Sequence, residues 1–105
     1  MNQPNLNYIE DLAGDDILFK KKLILIIKEE FPLEKKAYLT SYQSSNHLET
    51  AEMVHKLKNK ISMLGMEAGY ELAQDYEEEL KQGSHMRHQA FAEVLEQMTH
   101  FIKSL

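Results

Sequence analysis

The chain has 105 residues, with 17 Asp and Glu against 12 Lys and Arg, a formal charge of −5 at neutral pH and no cysteine. That length suits one domain, residues 1–105, which at this size buries well over half of the surface its unfolded form exposes and needs no covalent or metal staple. The lack of Cys excludes a disulfide framework, thiolate metal sites and cysteine catalysis, and the negative charge repels a polyanion, so no nucleic-acid partner is expected.

At the N-terminus, Met1-Asn2-Gln3-Pro4 lacks the basic and then apolar pattern of a signal peptide. The longest apolar run, residues 23–27, is far short of the roughly 20 residues that span a bilayer. The expectation is a cytoplasmic monomer without membrane insertion. The sequence is rich in Leu, Ile, Lys, Glu and Met, with four Gly and two Pro, a mix that reads as mostly helical.

Asn7 with Glu10 three positions on has the form of a capping box, and the short first helix it opens ends at Gly14. Asp15 or Asp16 then caps a second helix, in which Phe19, Leu23, Ile26, Ile27 and Phe31 recur at three- and four-residue steps. Lys20, Lys21, Lys22, Lys28 and Glu29 mostly fill its other side. Pro32 has no amide hydrogen and disfavours helical geometry at Phe31, so the chain kinks or restarts there. Leu33, Ala37 and Tyr38 resume an apolar stripe to about Tyr42.

Residues 44–47 are turn-prone, and Asn46 with Glu49 repeats the capping pattern at the start of a third helix. Gly65 punctuates its end. A fourth helix over about residues 66–82 sets Gly69, Leu72, Ala73, Tyr76 and Leu80 on one face, leaves the other acidic and stops at Gly83. Gly83-Ser84-His85-Met86 reads as a loop whose spelling is also that of a common expression-tag remnant. The last helix, about residues 87–104, repeats Phe91, Val94, Leu95, Met98, Phe101, Ile102 and Leu105 in a near-heptad pattern. The consistent architecture is all-α, an antiparallel four-helix bundle with a short additional N-terminal helix.

On the third helix, steps of 100° per residue gather Thr50, Met53, Val54, Leu57, Ile61 and Leu64 on one side. Leu48, Ala51, Glu52, His55, Lys58, Asn59 and Ser62 share the other, which turns His55 away from the core. An imidazole ordinarily titrates near neutrality, so a neutral fraction with a ring-nitrogen lone pair exists at cytoplasmic pH. Such a nucleophile accepts an activated phosphoryl group, and the charge spread over the transferring oxygens calls for nearby cations or donors. Lys58, one turn on, supplies one; Lys56 and Lys60 add positive potential, and Ser62 is a further donor. No glycine-rich nucleotide loop and no magnesium-holding carboxylate cluster accompanies them, so the phosphoryl group would come from a donor protein and not from ATP.

The stretch His55-Lys56-Leu57-Lys58, with Leu64-Gly65 ending ten residues after the histidine, resembles the signature of histidine-containing phosphotransfer (HPt) domains. That signature runs His-x-Leu-Lys-Gly, then small residues, then an aliphatic-Gly pair. Leu72-x-x-x-Tyr76-Glu77 looks like the Leu-x-x-x-Leu-Glu of the family's next helix, and the stripe ending at Phe31 and the amphipathic last helix suit it too. The resemblance implies His55 as phosphoacceptor and Lys58 as its phosphoryl-stabilising neighbour. It also implies Leu48, Ala51, Glu52, Asn59 and Ser62 as the docking surface for the receiver domain of a response regulator or hybrid kinase. The receiver would bring the aspartate and the magnesium ion; this chain would carry no cofactor of its own and no kinase activity. Two departures stand out. Asn59 occupies the usual glycine position, where a missing side chain lets the partner come close, and Lys60 replaces a small residue and would have to snorkel.

The alternative is a non-catalytic helical adaptor that binds receivers without phosphotransfer. Of the weaker signals, His85-x-x-His88 is too short a ligand set for a closed zinc site. His47 and His100 read as surface or boundary residues, Glu77-Glu78-Glu79 as a solvated helix face and the six Met as core fillers.

Overall fold

The computed structural model describes residues 3–105; Met1 and Asn2, which open the segment weighed above as a signal peptide, lie outside it. The described residues form five helices and no strand: α1 Asn7–Ala13, α2 Ile17–Gln43, α3 His47–Met63, α4 Glu67–Lys81 and α5 His88–Lys103. None of these helices is long and apolar enough to cross a membrane.

Side-chain caps fix two of the helix starts. The Asp16 carboxylate accepts the Phe19 N–H at 2.9 Å, which settles the choice between Asp15 and Asp16. Asn46 Oδ1 accepts the Glu49 N–H at 3.1 Å, and Glu49 answers by accepting from Asn46 Nδ2 at 3.1 Å. At α1 the expected box is replaced. Leu6 sits at the N-cap with no side-chain bond, and it is Asn5 Oδ1 that accepts the Asn7 N–H, at 3.0 Å. The reason is tertiary: the Asn5 N–H donates to Leu64 O at 2.8 Å, which pins Asn5 across the end of α3 and brings its side chain over the first turn of α1.

Gly65 makes that crossing possible. It adopts φ +71°, and Met66 N–H donates to Ile61 O while Gly65 N–H donates to Ser62 O, the paired bonds of a Schellman ending. A Cβ at this position would stand 2.8 Å from the Asn5 side chain, so both the turn and the overlying segment need glycine.

The chain does not break and restart at Pro32: α2 is continuous through it. Its 27 residues correspond to about 40 Å of helix at 1.5 Å per residue, close to the 45 Å long dimension of the molecule. Pro32 is exposed, so the bond it forfeits faces water, while Phe31 and Tyr38 on either side are anchored in the core. The stripe beyond the proline therefore runs from Phe31 to Tyr38 and Ser41. Leu33 and Ala37, expected on it, are exposed, and so is Phe19 at its start.

All five helices feed one buried cluster that includes Ile9, Phe31, Tyr38, Leu57, Ile61, Tyr76, Phe91 and Met98. Full burial of each such side chain is worth about 1.5–3 kcal/mol. The Tyr38 phenol would be costly there without partners. It has two, the Tyr76 hydroxyl at 2.7 Å and His88 Nδ1 at 2.6 Å, which ties α2 to α4 and to the start of α5. Further along, Lys35 reaches Glu96 and Thr99 and Lys28 reaches Leu105 O, so α5 runs antiparallel to α2.

Candidate functional site

His55 lies mid-way along α3, whose Val54, Leu57 and Ile61 are buried and hold the helix against the core. Its side chain keeps 65% of its surface in water, as the helical projection requires. The ring is nonetheless not free to spin. Its Nδ1 stands 3.3 Å from Glu77 Oε2 and 3.4 Å from Glu77 Oε1, across the gap to α4.

Glu77 is the hub of the site. The same carboxylate receives Lys58 Nζ at 2.9 Å and Lys81 Nζ at 3.5 Å, so one buried anion serves two ammonium groups and an imidazole. Burial pushes the Glu77 carboxyl up, but the Lys58 hydrogen bond and charge, then those of His55, outweigh it and hold the group below the ordinary carboxylate value. An ionised Glu77 accepts the proton of Nδ1. A carboxylate can only accept, so this contact favours the tautomer with its proton on Nδ1 and its lone pair on Nε2, in a ring whose side chain is 65% exposed.

Lys58 departs from expectation. Its side chain is only 13% exposed, drawn down onto Glu77 and over the Tyr70 ring at 5.5 Å, and does not stand out beside His55. Lys60 departs further. It is buried on the side of α3 that faces α2, with Nζ 2.8 Å from Glu30 and 3.3 Å from Glu34, so it does not snorkel and its charge is matched there and not beside His55. Lys56 is exposed.

Of the expected docking residues, Leu48, Glu52, Asn59 and Ser62 are exposed and fall on one line with His55 along α3. Ala51 does not belong with them. It is 3% exposed and packs in the core: seven residues before Lys58 it lies on the edge of α3 that meets α4, where so short a side chain is covered.

Glu77, expected on a solvated acidic face, is buried instead. A signal for the correct placement was there: Ala73 four residues before it and Leu80 three after it both face inward, so Glu77 falls within the buried stripe of α4. Glu79 is also engaged, accepting the Arg87 N–H at 2.8 Å and pairing with its guanidinium. Only Glu78 of the three stands as an exposed face residue, 3.6 Å from Lys81.

Three of the remaining histidines, His47, His85 and His88, gather elsewhere around Tyr42, and His100 is exposed near the end of α5. His88 stacks on Tyr42 with centroids 3.6 Å apart, and His47 stacks on His85 at 5.7 Å. Among the described residues no three His, Asp or Glu side chains are grouped to hold a metal ion. Comparison of the chain with protein-family models, with curated proteins and with solved structures found no match.

Proposed function

We propose that the chain is a phosphorelay intermediate of the histidine-containing phosphotransfer type, with α2 to α5 as an antiparallel four-helix bundle that holds His55 toward a receiver domain. The observation that carries this reading is the Glu77 carboxylate, which fixes His55 through Nδ1 and gathers Lys58 beside it. In the step itself the Nε2 lone pair attacks the phosphorus of an aspartyl phosphate. A P–N bond forms, the P–O bond to the aspartate breaks and the carboxylate leaves. The imidazole, with Nδ1 still protonated, becomes cationic, and Glu77 is placed to stabilise that charge as it develops. Lys58 is within one turn to move from Glu77 toward the phosphoryl oxygens. The receiver would supply the aspartate and the magnesium ion, leaving this chain to position and stabilise.

The test is transfer of radiolabel from a phosphorylated receiver. Label should appear on the wild-type chain, survive base, vanish in acid and be absent from His55→Gln. Label that persists in that variant would sink the assignment. The second reading, an adaptor that docks on receivers without transfer, draws on Asn59, whose exposed side chain stands one turn from His55. Receiver binding with no label transfer would select it.

A further inference from the structure

Seven residues beyond His55, about 10 Å along the axis at 1.5 Å per residue, the exposed face of α3 runs into a cleft. It has a volume of about 430 Å³, with Tyr8, Ser62, Gly65, Glu67, Tyr70 and Glu71 on its walls. A second hollow of about 560 Å³ shares Tyr8, Gly65 and Glu67 and continues to Asp11. The two rings facing this space keep much of their surface in water, 49% for Tyr8 and 36% for Tyr70. Glu67, Glu71 and Asp11 are exposed and, among the described residues, none of the three has an ion-pair partner, whereas Glu30, Glu34, Glu77, Glu79 and Glu96 are all paired. Tyr70 already takes a cation, the Lys58 ammonium at 5.5 Å from its centroid.

Aromatic walls with unpaired carboxylates at the rim suit a guanidinium or ammonium on a flexible stem: the stem packs on the rings and the charge meets both the ring faces and the acids. We propose that this cleft is a second anchor for the receiver, taking one of its arginine or lysine side chains about 10 Å from the phosphoryl group. The inference rests on the phosphorelay reading, because continuity with the His55 line is what assigns the occupant to the receiver. A transient contact gains orientation and encounter rate from such an off-centre charged pair.

The cation site is tested without any receiver by titrating N-acetyl-Gly-Arg-Gly-amide into the labelled protein and following backbone resonances. Saturable shifts at Ser62, Gly65 and Tyr70 are expected, absent with the Gly-Gln-Gly peptide and lost in the double variant Glu67→Gln, Glu71→Gln, whose helical content should be unchanged. Equal shifts with both peptides, or shifts spread over the acidic faces around Glu78 and Glu93, would overturn the site. The partner is tested with whichever receiver exchanges phosphoryl fastest with His55. The double variant should raise Kd about tenfold, from two exposed charge pairs, and leave the transfer rate at saturating receiver unchanged. An unchanged Kd overturns the assignment to the receiver. If no receiver exchanges phosphoryl with His55, the phosphorelay reading falls and the receiver with it, while the tripeptide still decides whether the cleft holds a cation.

Discussion

Lys58 and Lys60 sit two residues apart on α3, both with ammonium groups largely out of water, and they close opposite kinds of circuit. Lys60 lies between two carboxylates of α2, Glu30 and Glu34, which satisfy it on the spot and join the two helices. Around Lys58 the ratio is reversed: the single carboxylate of Glu77 is shared with Lys81 and His55. The first cluster is spent internally. The second sets Lys58 and Lys81 against Glu77 and Glu78 and leaves His55, at the solvent edge, with a ring nitrogen still unused. A helix turns one lysine into a clamp and the other into part of a site by what its neighbours leave unsatisfied.

The comparison breaks most visibly at Lys60. Lys60→Ala removes the shared cation and strands the Glu34 carboxylate, one of whose oxygens is already buried without a hydrogen-bond partner. Disrupting a buried ionic cluster from one side costs about 3 kcal/mol. A urea midpoint lowered to that extent at constant slope is the expected result. His55→Gln, on the exposed side, should change stability by no more than about 0.5 kcal/mol. Equal costs for the two would mean the clamp and the site do not differ as argued.

Glu77→Gln acts on the other cluster. It removes a charge-assisted bond worth about 1.5–3 kcal/mol from the imidazolium that forms on transfer, so phosphoryl transfer to His55 should slow by about ten- to a hundredfold. Because Gln can still occupy the space, receiver affinity should stay within about twofold, since packing is kept and only charge is lost. A slowdown entirely in Kd would show that Glu77 shapes the docking surface and not the nucleophile.

Local rules in the sequence reached the helices and the His55 face, while tertiary pairing decided the rest. Spacing alone placed Val54, Leu57 and Ile61 inward and His55 outward, because the 3.6-residue repeat acts within one helix. The same repeat misjudged Lys60 and Glu77, since charged residues are assigned to water by default and only a partner on another helix reverses that. Ala51 was misplaced for a related reason: alanine has too little side chain to declare a face. At Pro32 the local penalty is real but exposed to water, and the core contacts of Phe31 and Tyr38 override it. Asn5 as the cap of α1 depends on a bond to Leu64, a contact with no local signature.

His88 is the histidine counterpart of Lys60, spent internally, and it ties stability to pH. Tyr38 and Tyr42 face it from α2, His85 acts on it from the preceding loop, and burial and then the His85 charge lower its pKa from the ordinary 6.5. The unfolded chain therefore binds this proton more readily than the folded one, so stability is full above about pH 6.5 and declines as pH falls from there. Glu77, also lowered, acts in a separate acid window: its contribution is present above the ordinary 4.5 and is lost as pH drops through the folded value. Thermal midpoints between pH 7.5 and 5.5 should fall for the wild type and flatten in His88→Gln. A profile flattened by His55→Gln instead would reverse the roles given to the two histidines.

The finest distinction concerns Asn59, which lies on the solvent line one turn from His55 and so belongs to neither circuit. Asn59→Gly trades one poor helix former for a poorer one and should cost only about a few tenths of a kcal/mol in stability. Its effect on transfer is expected to be larger than its effect on folding. A receiver aspartate must bring its phosphoryl group within about 3–3.5 Å of Nε2 along a fixed line, and a side chain beside the ring competes for that space. Removing it should speed transfer at limiting receiver by about three- to tenfold, because small misplacements at that distance weigh heavily on rate. Single-turnover transfer curves for the two proteins decide the point. Identical curves would mean that the receiver approaches from the Glu52 side of His55, and that the asparagine stands clear of the path.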